Sequence, residues 1–162
     1  MIIGISGKIG SGKDSLADLI IKHNNQFEKK SYAYKLKKIG SLLTGTEESL
    51  WFTQEGKNIY LPEWNMTIGR FQQLLGTEAM RVGLHPNTWI ISLFADLKED
   101  SKWVITDVRF KNEAYAVKER GGFLLYLIYL EQLFYVHKHW LKANFLINYP
   151  KPYNQLLNNR FV

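Results

Sequence analysis

A lysine preceded by three glycines at fixed spacing is the first chemistry this chain offers. Gly7-Lys8-Ile9-Gly10-Ser11-Gly12-Lys13 fits the pattern G-x-x-x-x-G-K, with Asp14 and Ser15 directly behind it. Each part answers to a phosphate. Glycine lets consecutive backbone N–H groups turn toward phosphate oxygens. A helix opening near Lys13 adds the partial positive charge of its N-terminus. Lys13 is placed to reach β- and γ-phosphates, and a hydroxyl nearby can hold Mg²⁺. Gly7, Gly10, Ser11, Gly12, Lys13, Asp14 and Ser15 are therefore the candidate cofactor contacts, for the phosphates of a nucleotide with Mg²⁺. Asp14 stands where the pattern has Ser or Thr, and the hydroxyl follows one residue later at Ser15. The metal ligand is thus open between Ser15 and a carboxylate acting through water. A guanine-reading N-K-x-D is missing from the sequence, which disfavours a GTPase.

Two further stretches carry charged groups at useful spacings. In Thr67 to Arg81, the residues Phe71, Leu74 and Leu75 can pack one helix face. Arg70, Gln73 and Thr77 recur at three and four, with Arg81 continuing the row. A guanidinium grips phosphate through two parallel hydrogen bonds, and an amide can read a base edge. Trp89 is either a core residue or a stacking platform for a base. The third stretch, Val104 to Glu113, places Asp107 just past a short apolar run and Arg109 two residues later. An acid there can hold the Mg²⁺ shell or a substrate hydroxyl, and Arg109 can meet a phosphoryl group in transfer. Glu113 joins Asp107 as a group that could orient sugar, base or metal. The alternative for this stretch is a helix capped by Asn112.

These residues need elements to position them. Met1 to Ser6, rich in isoleucine and ending at glycine, predicts a buried strand. Leu16, Ala17, Leu19, Ile20 and Ile21 predict a helix over about 13–23. A second strand is expected over Glu28 to Tyr34 and a helix over Leu36 to Leu43, ending near Gly45. The stretch from Thr44 to Met66 reads as an irregular or helix-loop insertion. Thr67 opens the next helix, and His85 to Thr88 caps another that runs from Trp89 to Leu97. Trp103 to Thr106 predicts a strand, Lys111 to Arg120 a helix closed by Gly121-Gly122, and Phe123 to Tyr129 a last strand. Alternating strands and helices imply an α/β fold with a mainly parallel sheet covered on both faces, whose ligands sit at the carboxyl ends of the strands. Gly7–Ser15 and Asp107–Glu113 both fall there.

Length and composition bound the rest. With 162 residues the chain suits a single domain, since domains run to about 100–200 residues. It has no cysteine, which excludes disulfides, thiolate zinc sites and a cysteine nucleophile, and fits a reducing, cytoplasmic compartment. No apolar run reaches the roughly 20 residues of a membrane span, and the first residues lack the basic start of a secretory leader. The net charge is +6, and half of it lies in residues 126–162, which hold Lys138, Lys142, Lys151 and Arg160 against Glu131 alone. That tail also carries nine of the 23 aromatics. A basic balance suits either an ordinary soluble protein or one with an anionic partner such as phosphate, nucleotide or nucleic acid, and composition does not choose between them.

The stretches together resemble the phage-type deoxynucleoside monophosphate kinase family. Its loop motif G-K-D-[S/T]-x-A-D is matched by Gly12 to Asp18, and A-x-x-L-K by Ala33 to Lys37. Thr67, Arg70, Gly76, Thr77, Glu78 and Arg81 follow its acceptor helix, with Gln72 and Gln73 near its glutamine, and D-V-R-F-x-N-E stands intact as Asp107 to Glu113. The resemblance covers about residues 1–125. It implies a three-layer phosphate-loop NTPase fold with a small helical acceptor-binding insertion at about 44–100. It also implies transfer of a phosphoryl group from ATP to a deoxynucleoside 5′-monophosphate. Lys13, Arg70 and Arg109 would be catalytic, and Lys37, Gln73, Glu78, Arg81, Trp89, Asp107 and Glu113 would join the arginines in binding substrate, with Ser15 and Asp107 toward the metal. Small nucleotides are the expected partners, nucleic acid and membranes are not, and a homodimer stays open. For a viral protein the compartment would be host cytoplasm. Residues 126–162 depart from the family, which continues with an arginine-bearing loop closing over ATP. Here Lys138 and Lys142, with His137 and His139, are the candidate lid cations and match no motif, so a weakened or inactive enzyme is one expectation. The competing readings are another small phosphate-loop kinase, such as a dephospho-coenzyme A kinase, and a nucleotide-binding module whose basic tail binds nucleic acid.

Overall fold

A computed structural model describes residues 1–127. The strand expected through Tyr129 is seen there to Leu127; its remainder and the tail with Lys138, Lys142, His137 and His139 lie outside the described residues. Two compact units form, one from Met1–Lys29 with 100–127, the other from Lys30–Glu99.

The first unit is built around β1 (Ile2–Gly7). Its β-branched residues suit a strand buried on both faces. It lies between β5 (Trp103–Ile105) and β6 (Phe123–Leu127), parallel to both, with Ile3 opposite Val104 on one side and Phe123 on the other. β2 (Glu28–Lys30) adds the edge next to β5, giving the order β2-β5-β1-β6. Helix α1 (Lys13–His23) covers one face, where Ile5, Ala17, Phe27 and Val104 form a buried cluster with Leu16, Ile20 and Ile21 against it. Helix α5 (Lys111–Glu119) covers the other. There Gly4 allows close approach: a Cβ at that position would stand 2.8 Å from Leu124 and 3.1 Å from Val108. Helix, sheet and helix make the expected three-layer α/β arrangement. Helix α1 has Asp14 in its first turn and Lys22 in its last, charges that complement the helix dipole.

The second unit begins at Lys30, so it takes in α2 (Tyr34–Thr44) and is wider than the stretch 44–100. The strand expected to reach Tyr34 stops at Lys30, and Tyr34 already opens α2. The irregular insertion resolves into short 3₁₀ turns at Glu48–Phe52, Gly56–Asn58 and Pro62–Trp64 and a two-residue hairpin, β3 (Tyr60–Leu61) with β4 (Met66–Thr67). Trp51, Leu61, Ile68 and Phe71 form its core, with Trp51 meeting Phe71 edge-on at 5.5 Å. The Trp51 ring lies against Gly40, where a Cβ would come within 2.1 Å of it. Gly40→Ala should therefore destabilise the chain by about 1–3 kcal/mol, because overpacking forces ring or backbone to shift. Thermal denaturation checks this, with an unchanged melting temperature as the contrary result.

Thr67 caps α3 (Ile68–Gln73), its Oγ1 accepting from the Arg70 N–H at 3.2 Å. From Leu74 to Leu84 the helix widens into a π-type stretch, which periodicity in the sequence did not reveal. Helix α4 (Thr88–Phe94) is shorter than expected and starts one residue earlier. No side chain caps it: the Asn87 N–H donates to His85 Nδ1, and Thr88 Oγ1 donates to the carbonyls of His85 and Met80.

Candidate functional site

The first unit holds the glycine loop where sequence spacing put it, between the end of β1 and the first turn of α1. Gly10 and Gly12 have φ of 77° and 83°, the left-handed region where a side chain would be strained. At Gly7 a Cβ would stand 2.8 Å from both the Leu127 carbonyl and Ser11 Oγ, so the close path of the loop past β6 needs glycine. Gly12 is the N-cap of α1, and no side chain caps that end. The first N–H groups of a helix have no intrahelical acceptor, so this terminus offers donors to an anion.

Lys13 folds back over the loop. Its Nζ donates to the Gly7 carbonyl at 2.8 Å, to the Lys8 carbonyl, and to Ser11 Oγ at 3.3 Å. Partial burial lowers its pKa from 10.5, the Arg109 charge lowers it further, and Asp14 acts the other way. The positive charge of Arg109 is thus felt at Lys13 with only partial compensation from Asp14, an electrostatic setting that favours an anion. Ser15 is exposed one residue past Asp14, in the same turn of α1.

Asp107 and Arg109 follow β5, on the loop that leads into α5. Asp107 is half-buried and Arg109 is exposed. The Val108 N–H donates to the Ile5 carbonyl at 3.3 Å, tying this loop to β1. Glu113 corrects the sequence reading. It is 1% exposed, and its Oε2 accepts from the backbone N–H groups of Arg109 at 2.7 Å and Phe110 at 3.0 Å. A carboxylate so used caps α5 and fixes the backbone of Arg109; it is not turned outward to a sugar or base. Asn112 is not the cap either, since the helix already starts at Lys111, with Phe110 before it. An acid at the third helical position reaching back to the N-cap N–H is a capping pattern, and D-V-R-F-x-N-E carries that signal.

The second unit holds the other candidates. Arg70 is half-exposed on α3, with Nη2 3.8 Å from Glu78 Oε1 on the π-type stretch. Wider winding after Leu74 breaks the simple three-and-four row expected for Arg70, Gln73, Thr77 and Arg81. Arg81 reaches the Pro86 carbonyl at 3.5 Å. Of the two glutamines, Gln72 donates to the Trp51 carbonyl at 3.1 Å and so belongs to the core's frame, while Gln73 is exposed. Trp89 is 3% exposed and its Nε1 donates to the Gly76 carbonyl at 2.8 Å, so it packs the unit and offers no face to a base. Lys37 lies with Nζ 4.8 Å above the Phe52 ring.

Sequence reasoning missed Lys29. From β2 its Nζ lies 3.3 Å from Asp14 and 2.9 Å from Asp18. Burial opposes its charge, but hydrogen bonds to Asp18 and Asp14 outweigh this and raise its pKa. The pairing joins residues far apart in the chain, and no local spacing signals it.

The donor set fits ATP with Mg²⁺. Mg²⁺ takes oxygen ligands, typically one or two from protein and the rest from phosphate and water. Ser15 and Asp107 offer a hydroxyl and a carboxylate in the same unit as the loop. Among the described residues no three His, Cys, Asp or Glu side chains gather as a metal-binding group. No helix among them is long and apolar enough to cross a membrane.

No family model matches the chain. It is similar to a protein of Acanthamoeba polyphaga mimivirus named "Putative deoxynucleotide monophosphate kinase", at 34% identity over 140 residues, covering 77% of this chain and 72% of that protein.

Proposed function

The chain belongs to the viral deoxynucleotide monophosphate kinase family, and on that premise we propose that it transfers the γ-phosphoryl group of ATP to the 5′-phosphate of a deoxynucleoside monophosphate, giving the diphosphate. The observation that carries this reading is the glycine loop between β1 and α1, with Lys13 folded back over it.

In this reading the loop from Gly7 to Ser15 holds the donor triphosphate through backbone N–H groups and the start of α1. Lys13 lies between the β- and γ-phosphates. Its ammonium leaves the Gly7 and Lys8 carbonyls and exchanges weak neutral acceptors for phosphate oxygens, a stronger charge-assisted pairing. Ser15 and Asp107 would hold Mg²⁺, which neutralises charge on the phosphates when bound. Arg109 stabilises the phosphoryl group as its charge spreads over the equatorial oxygens, and Glu113 keeps its backbone in place. Arg70 and Arg81 would bind the monophosphate, and Gln73 and Lys37 polar edges of the nucleoside. Glu78 holds Arg70. No strong general base is needed, because the acceptor phosphate is already anionic and catalysis is positioning plus electrostatics.

Coupled measurement of ADP release with each of the four deoxynucleoside monophosphates tests the reading. Release that depends on one or more of them supports it. ATP binding with no transfer to any, together with salt-dependent DNA binding, would replace it with the nucleotide-binding module.

A further inference from the structure

The phosphate loop of this chain carries an acid where its pattern has a hydroxyl residue. Asp14 stands directly behind Lys13, and Asp18 lies one helical turn later on the same side of α1. Two carboxylates at the N-terminal half of α1 suit the helix dipole but oppose a triphosphate arriving at that end. Lys29 answers both. It comes from β2, where the Glu28 N–H donates to the Lys102 carbonyl at 2.8 Å and so fixes the strand beside β5. Its ammonium lies 2.9 Å from Asp18 and 3.3 Å from Asp14.

We propose that Lys29 is a positioning residue for the donor phosphates, holding Asp14 and Asp18 as a neutralised pair so that Asp14 neither repels the triphosphate nor draws Lys13 away from it. The proposal rests on the kinase reading, because it presumes that the loop takes ATP. Lys29 does not touch the nucleotide. It acts through Asp14, the acidic group that bears on the Lys13 ammonium.

The pairs are largely exposed, with Asp14 at 75% and Asp18 at 67% of side-chain surface, so the effect is moderate and sensitive to salt. Lys29→Met keeps the length of the side chain and removes its charge. It should weaken ATP·Mg²⁺ binding, measured by titration calorimetry on the full chain at low ionic strength, by roughly three- to tenfold. Lys29→Arg should stay within about twofold of the parent, since the charge is kept. In an Asp14→Asn, Asp18→Asn background, Lys29→Met should cost less than about twofold, because there is no carboxylate left to neutralise. Raising salt to about 1 M should shrink the Lys29→Met effect, whereas a purely structural role would not respond. Unchanged ATP affinity in Lys29→Met overturns the proposal and leaves the kinase reading standing. So does an equal loss with the two acids removed. A parent chain that binds no ATP overturns both.

Discussion

Lys13→Ala is expected to lower phosphoryl transfer on the order of 10³-fold while leaving the fold intact, since electrostatic groups aimed at transferring charge contribute on this scale. The lysine is poorly compensated where it stands. Partial burial and the Arg109 charge both disfavour its ammonium, and Asp14, whose charge favours it, is shared with Lys29. In the proposed reading a triphosphate would supply what the loop lacks, so its binding there would depend heavily on this one charge. Loss of stability should be small, because the Nζ contacts run to backbone carbonyls of an exposed loop and to one hydroxyl. ATP affinity of the parent should weaken as pH rises, beginning below 10.5, because the pKa of Lys13 is lowered and its neutral form cannot pair with phosphate. Lys13→Arg should remove that alkaline loss, since a guanidinium stays charged. Stopped-assay turnover, thermal denaturation and ATP titration from neutral to alkaline pH check these outcomes. Near-parent turnover in Lys13→Ala would refute the role of the loop.

Much of the first unit was legible because its signals are local. A short run with three isoleucines ends at a glycine loop, and the next apolar residues recur at helical spacing; both elements stand where that pattern places them. The G-K pair is a backbone requirement, and the left-handed Gly10 and Gly12 satisfy it. Legibility fell where long-range packing decides. The second strand stops at Lys30 because Tyr34 is taken by α2, whose inward face meets the second unit's core through Gly40 and Trp51. The π-type widening after Leu74 leaves no periodic trace, and with it the row of Arg70, Gln73 and Arg81 loses its simple alignment. Trp89 could be core or platform on sequence alone; its hydrogen bond to Gly76 decides for core. Lys29 had no signal, since its partners lie on a different element.

Glu113→Ala should lose both stability and turnover, and the pattern of loss separates two roles for this acid. The carboxylate is 1% exposed and accepts two backbone N–H groups at one oxygen. Truncation leaves both donors without their acceptor, at about 2–4 kcal/mol in all. For a chain of this size that lowers the melting temperature by roughly 5–15 °C. Glu113→Gln keeps a carbonyl oxygen for the same N–H groups and gives up only the charge assistance, so it should cost about half as much or less. The kinetic signature follows from what the N–H groups belong to. Arg109 is the cation proposed to meet the phosphoryl group in transfer, so freeing its backbone should lower kcat by roughly 10²-fold and move KM for the monophosphate little. Glu113→Ala in an Arg109→Ala background should then add almost nothing to the loss in kcat, because the group it positions is gone. A raised KM with kcat intact, or a full additive loss in that background, would return Glu113 to the substrate-contacting role that its place in D-V-R-F-x-N-E first suggested.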